Sequence, residues 1–140
     1  MPAAQLVGDH VFRRVANGSP DMVVIDAVTG VRRPSTGAFK PDDDGISVYL
    51  KFVLALSGLS AAAVAVRPEN LVVEVPIAAV LEIKPLEVRP DPWPTDIPDA
   101  AHPRNAAHAL IVGWNGLSKG QRKERQNALV SLPSLRWVHP

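Results

Sequence analysis

The chain has 140 residues, 46% of them hydrophobic and 21% charged, which is ordinary globular usage and excludes disorder as the ground state. Its formal net charge is +1, from 15 basic and 14 acidic side chains, so no global field draws it to nucleic acid. The lack of cysteine excludes disulfides, thiolate metal sites and a cysteine nucleophile.

The length fits one globular domain over residues 1–140. The first residues, Met-Pro-Ala-Ala-Gln, lack a basic region followed by an apolar stretch, so no secretory signal is expected, and a cysteine-free chain suits a reducing cytoplasm. The long apolar run from Phe52 to Val66 is interrupted by Ser57, Gly58 and Ser60. It falls short of the roughly 20 apolar residues needed to cross a bilayer, so no membrane span is expected. With three Trp, three Phe and one Tyr, the core must be aliphatic, with Trp93, Trp114 and Trp137 as its expected large anchors. The 14 prolines, concentrated between Pro85 and Pro103, predict short elements with stiff connections.

In chain order, Val7 to Val15 reads as a first strand, with Arg13 and Arg14 pointing to opposite faces. Met22 to Val28 is a β-branched run closed by Thr29-Gly30, a second strand. A polar segment from Gly30 to Tyr49 follows and predicts a loop. At its end, Ile46, Val48 and Leu50 alternate with Ser47, Tyr49 and Lys51, the period of a half-buried strand whose other face carries Ser47 and Tyr49. A short helix is expected near Ser57 to Ala63, leading into a strand at Val64 to Val66. A strand then runs to Val75 and a short helix starts from Pro76. Leu86 to Arg89 is a further strand, and Pro90 to Asp99 an extended connector. Ala106 to Trp114 reads as a buried strand stopped by Asn115-Gly116. Ser118-Lys-Gly-Gln121 has capping-box spacing and opens a C-terminal amphipathic helix reaching about Leu132. The fold class is α+β, a strand-rich mixed sheet with short helices.

Several groups are candidates for chemistry. In the polar loop, Arg32, Arg33, Ser35, Thr36 and Gly37 bring guanidinium forks and hydroxyls suited to a phosphate or carboxylate, without the spacing of any phosphate loop. Asp42, Asp43 and Asp44 are consecutive, which suits a turn better than a calcium loop. His102 and His108 flank Arg104 and Asn105, and an inward His108 is an imidazole able to act as acid or base near neutral pH, or a hydrogen-bonded structural residue. His10 and His139 lie near the chain ends and are candidates to approach the same place. Glu74 and Glu82 read as surface residues. Lys119, Arg122, Lys123 and Arg125 give the C-terminal helix a basic first half, unfavourable with the helix dipole and suited to an anionic partner or to a solvated face. No residue pattern names a cofactor, and none holds a metal.

Three functional expectations follow. The first is a small cytoplasmic binding or regulatory module that docks to a protein partner. The second is a compact enzyme acting on a nucleotide, dinucleotide or RNA phosphate, with a site drawn from Arg13 or Arg14, Arg32, Arg33, Ser35, Ser47, Tyr49 and His108. An arginine on the first strand and a serine on a later one is loosely similar to the layout of compact ADP-ribosyltransferase-like toxin domains, without their catalytic glutamate signature. The third is nucleic-acid binding through the basic C-terminal helix.

Overall fold

A computed structural model describes residues 3–96 and 101–139. It has a six-stranded sheet of strand order β6-β7-β4-β1-β5-β8, every neighbouring pair antiparallel, and five short helices, an α+β fold. The strands are β1 (His10–Val15), β4 (Ile46–Leu50), β5 (Leu71–Pro76), β6 (Glu87–Pro90), β7 (His108–Val112) and β8 (Arg136–His139). A separate ribbon pairs β2 (Val23–Ile25) with β3 (Arg32–Pro34). The helices are α1 (Ala3–Val7), α2 (Lys51–Leu56), α3 (Ala61–Ala65), α4 (Ile77–Leu81) and α5 (Lys119–Val130), and two 3-10 turns cover Thr36–Phe39 and Pro103–Ala107. Among the described residues, no helix is long and apolar enough to cross a membrane.

Alternation along each strand divides the sheet into two faces. On the first, Val11, Val15, Ile46, Val48, Val73, Val75, Ala109 and Ile111 form the larger core with Ala38, Phe39, Ile77, Val80, Trp114 and Leu129. On the second, Phe12, Tyr49 and Val72 pack under Leu54, Ala61, Val64 and Ala65 from α2 and α3. Cross-strand pairing sets one row of side chains on this second face: His108 opposite Tyr49, Tyr49 opposite Phe12, Phe12 opposite Glu74, and Glu74 opposite Arg136.

Some elements depart from the sequence expectation. The first seven described positions enter through α1 and a turn, so β1 begins at His10. The polar segment is not one loop. Arg32–Pro34 pairs with β2, and Thr36–Phe39 coils so that Ala38 and Phe39 are buried under α5. No strand forms at Val64 to Val66. The apolar run makes two helices instead, because it covers a finished sheet face and joins no edge. Strand β8 follows the turn at Pro133-Ser134 and was not expected, because its four residues are too few to show a strand period. Pro76 starts α4 as its N-cap, and Ser118 and Gln121 complete the capping box of α5, both as expected. Of the tryptophans only Trp114 is a buried anchor. Trp137 is half-buried, and Trp93 is 46% exposed because it lies on the proline-rich connector outside the sheet. Residues 97–100 of that connector lie outside the described residues.

Candidate functional site

The connector after β6 shapes the site. In the run Pro90-Asp91-Pro92-Trp93-Pro94 only Asp91 and Trp93 carry a backbone N–H. Both are used: Asp91 donates to the His108 carbonyl and Trp93 to the Asn105 carbonyl, each at 2.9 Å. The Asn105 side-chain amide returns a bond to the Pro94 carbonyl at 2.8 Å. Alternating prolines leave this run two donors, and the bonds that those donors make lay Asp91 and Trp93 against His108.

His108 is 1% exposed. Its Nδ1 lies 2.9 Å from the Asp91 carbonyl and 3.2 Å from the Asp91 carboxylate, and its Nε2 lies 2.9 Å from the Ser47 hydroxyl. Nδ1 faces only acceptors, so the neutral ring carries its proton there. Nε2 then holds a lone pair toward Ser47, whose hydroxyl donates to it. The Trp93 ring stacks on the imidazole at 3.7 Å between centroids and 23° between planes, and Tyr49 meets it edge-on at 5.6 Å. Only the edge beyond Ser47 leads out of this packing.

That edge opens on a cleft of about 580 Å³ lined by Ser47, Tyr49, Trp93, Pro94 and Val66, with Arg13, Arg14, Arg104 and Asn105. Among the described residues the lining holds three arginines and no carboxylate. Arg13 and Arg14 point to opposite faces, as adjacent strand residues must. The Arg13 guanidinium donates to the carbonyls of Ala38 and Ser47 at 3.0 and 2.8 Å, holding the Ser47 peptide in place. Burial, reinforced by Arg14, pushes its pKa down to about 10, so it stays charged at neutral pH. Arg14 donates through Nε to the Val64 carbonyl at 2.7 Å, and its terminal nitrogens meet no acceptor among the described residues. The Arg104 Nε is buried without a hydrogen-bond partner there. Arg104 is positioned by the 3-10 turn that His102 caps, the imidazole Nδ1 accepting from the Arg104 amide at 3.0 Å. Burial, with the nearby Arg104 charge, holds the His102 pKa below its ordinary value, which keeps that nitrogen free to accept.

Val66 forms part of the cleft rim in a left-handed conformation, φ 67° and ψ −52°. The Arg67 amide donates to the Ala65 carbonyl across it at 2.7 Å, the geometry of a γ-turn that β-branched residues strongly disfavour.

The sequence candidates thus separate. Ser47, Tyr49, His108, Arg13 and Arg14 come together. Arg32, Arg33, Ser35 and Thr36 do not join them. Arg32 reaches Asn17 at 3.4 Å and its carbonyl accepts from Trp137; Ser35 bonds the Asp21 carbonyl; and the Thr36 carbonyl accepts from Gln126 at 3.0 Å. Asp42 closes a turn by accepting from the amides of Asp44 and Gly45 at 2.9 and 3.2 Å. Arg122 lines a second cleft of about 250 Å³ opposite Asp42, Asp43 and Asp44, and Arg125 donates to the Lys84 carbonyl at 3.2 Å. Lys119 and Lys123 are exposed on α5. No group of His, Asp and Glu among the described residues is arranged to hold a metal.

His10 does not approach His108; it sits 3.2 Å from Glu74, and His139 lies on the outer strand β8. Glu74 is no surface residue. It is 2% exposed, with Lys51 at 2.9 Å and Arg136 at 2.6 Å. Its position opposite Phe12 on a covered face explains the burial. Asp91, Trp93 and Arg104 were not singled out as site residues from the sequence. The alternation of prolines around Asp91 and Trp93 was the available signal.

No family model, no curated protein and no solved structure matches the chain, so the site is read from its own geometry.

Proposed function

We propose that the cleft binds a small phosphate-bearing ligand of the nucleotide or dinucleotide class. The observation that carries this reading is the lining itself: among the described residues it has three arginines and no carboxylate, and Arg14 and Arg104 carry donors that no described residue accepts. Guanidinium forks match phosphate oxygens in geometry and charge. Trp93 and Tyr49 add the aromatic surface that a base needs. A volume of about 580 Å³ falls within the usual range for small-ligand pockets.

The test is a thermal-shift screen of the purified protein against ATP, ADP, NAD and inorganic phosphate at low and moderate salt. A ligand held at about 100 times its Kd stabilises the native state by about 2.7 kcal/mol. Stabilisation by one phosphate-bearing ligand, lost in Arg14→Ala and Arg104→Ala and kept in Arg33→Ala, is the expected result. A screen in which none of these ligands stabilises the folded protein sinks the reading.

A second reading, docking to a protein partner, is favoured by the β2–β3 ribbon, where Ile25 is 64%, Val28 94% and Val31 62% exposed. Co-purification of one partner, abolished by Val28→Asp with Val31→Asp, is its expected signature. Equal recovery with that double variant removes it.

A further inference from the structure

The geometry points to Ser47 as a nucleophile, activated by His108, that attacks a phosphorus centre held in the cleft. The choice of phosphorus rests on the phosphate-binding reading above, whereas the activation of Ser47 stands on hydrogen bonding alone. The arrangement has a definite polarity. Asp91 offers a carbonyl and a carboxylate to Nδ1, at 2.9 and 3.2 Å, which holds the ring proton on that side. Nε2 is thereby left as a base 2.9 Å from the Ser47 hydroxyl. The serine and the imidazole stand as in the hydrogen-bond chain that activates nucleophilic serines on unrelated folds, with the Nδ1 hydrogen bond made to the Asp91 carbonyl and the Asp91 carboxylate beside it at 3.2 Å.

Three further features fit. Ser47 lines the cleft while His108, 1% exposed, does not, so a ligand reaches the hydroxyl and not the imidazole. Trp93, stacked at 3.7 Å, keeps water off the ring and favours the imidazolium that forms when Ser47 gives up its proton. Arg14 and Arg104 present positive charge to the same space, where negative charge grows on phosphoryl oxygens during transfer.

The step balances without any cofactor. The Ser47 Oγ forms a bond to phosphorus as the bond from phosphorus to the leaving oxygen breaks. The Oγ proton passes to His108 Nε2, and the leaving oxygen, on the far side of phosphorus, takes a proton from water in the cleft. Water completes the cycle by attacking phosphorus from the side the leaving oxygen vacated and releasing a proton to solvent, while the His108 imidazolium returns its proton to the departing Ser47 Oγ. His108 acts on the reacting oxygen directly; Asp91 is a positioning residue.

A fluorophosphonate probe tests this independently of the natural substrate, since its phosphorus accepts an activated serine and expels fluoride. The full-length protein is incubated with probe across pH and analysed by intact mass and peptide mapping. One adduct at Ser47 is expected, absent in Ser47→Ala and formed at least about 100-fold more slowly in His108→Gln. Asp91→Asn, at a residue 44% exposed, keeps the carbonyl contact and so serves if His108→Gln does not fold. It should lower the plateau rate of labelling while leaving urea unfolding unchanged, because the imidazolium that forms as Ser47 reacts loses its neighbouring charge. No adduct at Ser47 in the wild-type protein, an adduct elsewhere only, or an Asp91→Asn plateau rate matching wild type overturns the proposal. Labelling without a nucleotide thermal shift leaves the nucleophile and removes the binding reading, and a shift without labelling does the reverse.

Discussion

Two polar clusters lie in one row across the same face of the sheet, Glu74 toward one edge and His108 toward the other, and they differ in how completely their donors and acceptors are engaged. The Glu74 carboxylate is engaged by Lys51 at 2.9 Å and Arg136 at 2.6 Å, with His10 Nδ1 a poorly aligned third neighbour at 3.2 Å. None of these residues lines the cleft at Ser47 or the one at Arg122. Around His108 the engagement stops short: Ser47 faces open space, and Arg14 and Arg104 keep donors that no described residue accepts. Both clusters are charged and both interrupt an apolar face. A saturated buried network holds strands together, while an incomplete one beside a cleft is arranged for something that arrives later.

The largest effect expected from breaking this contrast is at the saturated cluster. Glu74→Ala leaves Lys51 and Arg136 without their carboxylate and should destabilise the protein by about 3 kcal/mol in urea unfolding, the lower end for a buried ion pair because both cations reach solvent. Burial alone would raise the Glu74 pKa, but bonds from Lys51, Arg136 and His10 outweigh it and hold the carboxyl below 4.5. A lowered folded-state pKa means the unfolded chain binds the proton more readily. The stabilisation from Glu74 is therefore full above pH 4.5 and is lost as pH falls through the folded value. Glu74→Gln should flatten that acid limb, and an unchanged limb would show that Glu74 is not the saturated centre described.

At the unsaturated cluster the response should appear in affinity. Arg104→Ala is expected to weaken a phosphate-bearing ligand about tenfold, roughly 1.4 kcal/mol by calorimetry, while shifting unfolding by less than about 0.5 kcal/mol. Equal losses of stability and affinity would erase the distinction between the clusters.

Smaller effects sharpen the picture of the rim. Val66→Gly removes a side chain from a left-handed γ-turn and should stabilise the protein by about 1 kcal/mol, read as a raised urea midpoint, because relief of strain exceeds the added freedom of glycine. His102→Ala removes the cap that sets Arg104 and should cost about 0.5 kcal/mol, with a measurable loss of affinity beyond it.

Much of the sheet was legible because alternation carries its own instruction. Ile46, Val48 and Leu50 need burial, so Ser47 and Tyr49 must share the other face, and they do. The capping box at Ser118 and the helix start at Pro76 were likewise local chemistry, readable without a fold. The apolar run from Phe52 was not legible in the same way, since helix and buried strand demand the same composition. The polar segment after Gly30 misled for a related reason: it joins a surface ribbon and a 3-10 turn, and its Ser35 hydroxyl bonds the Asp21 backbone carbonyl.

By itself, the sequence determined an α+β chain with an aliphatic core, no thiol chemistry, and Ser47, Tyr49 and His108 in buried or half-buried strands, because composition and period constrain what can be covered. Only the tertiary structure decided which polar residues meet. Ser47 and His108 are 61 positions apart and are joined by the register of β4 with β7. Asp91 reaches His108 because a proline-alternating connector has just two amides to place, and Arg104 joins Arg14 because a capped turn and a central strand face the same cleft. Strand periodicity is a local property, whereas the partner across the sheet is set by which faces the whole chain succeeds in burying.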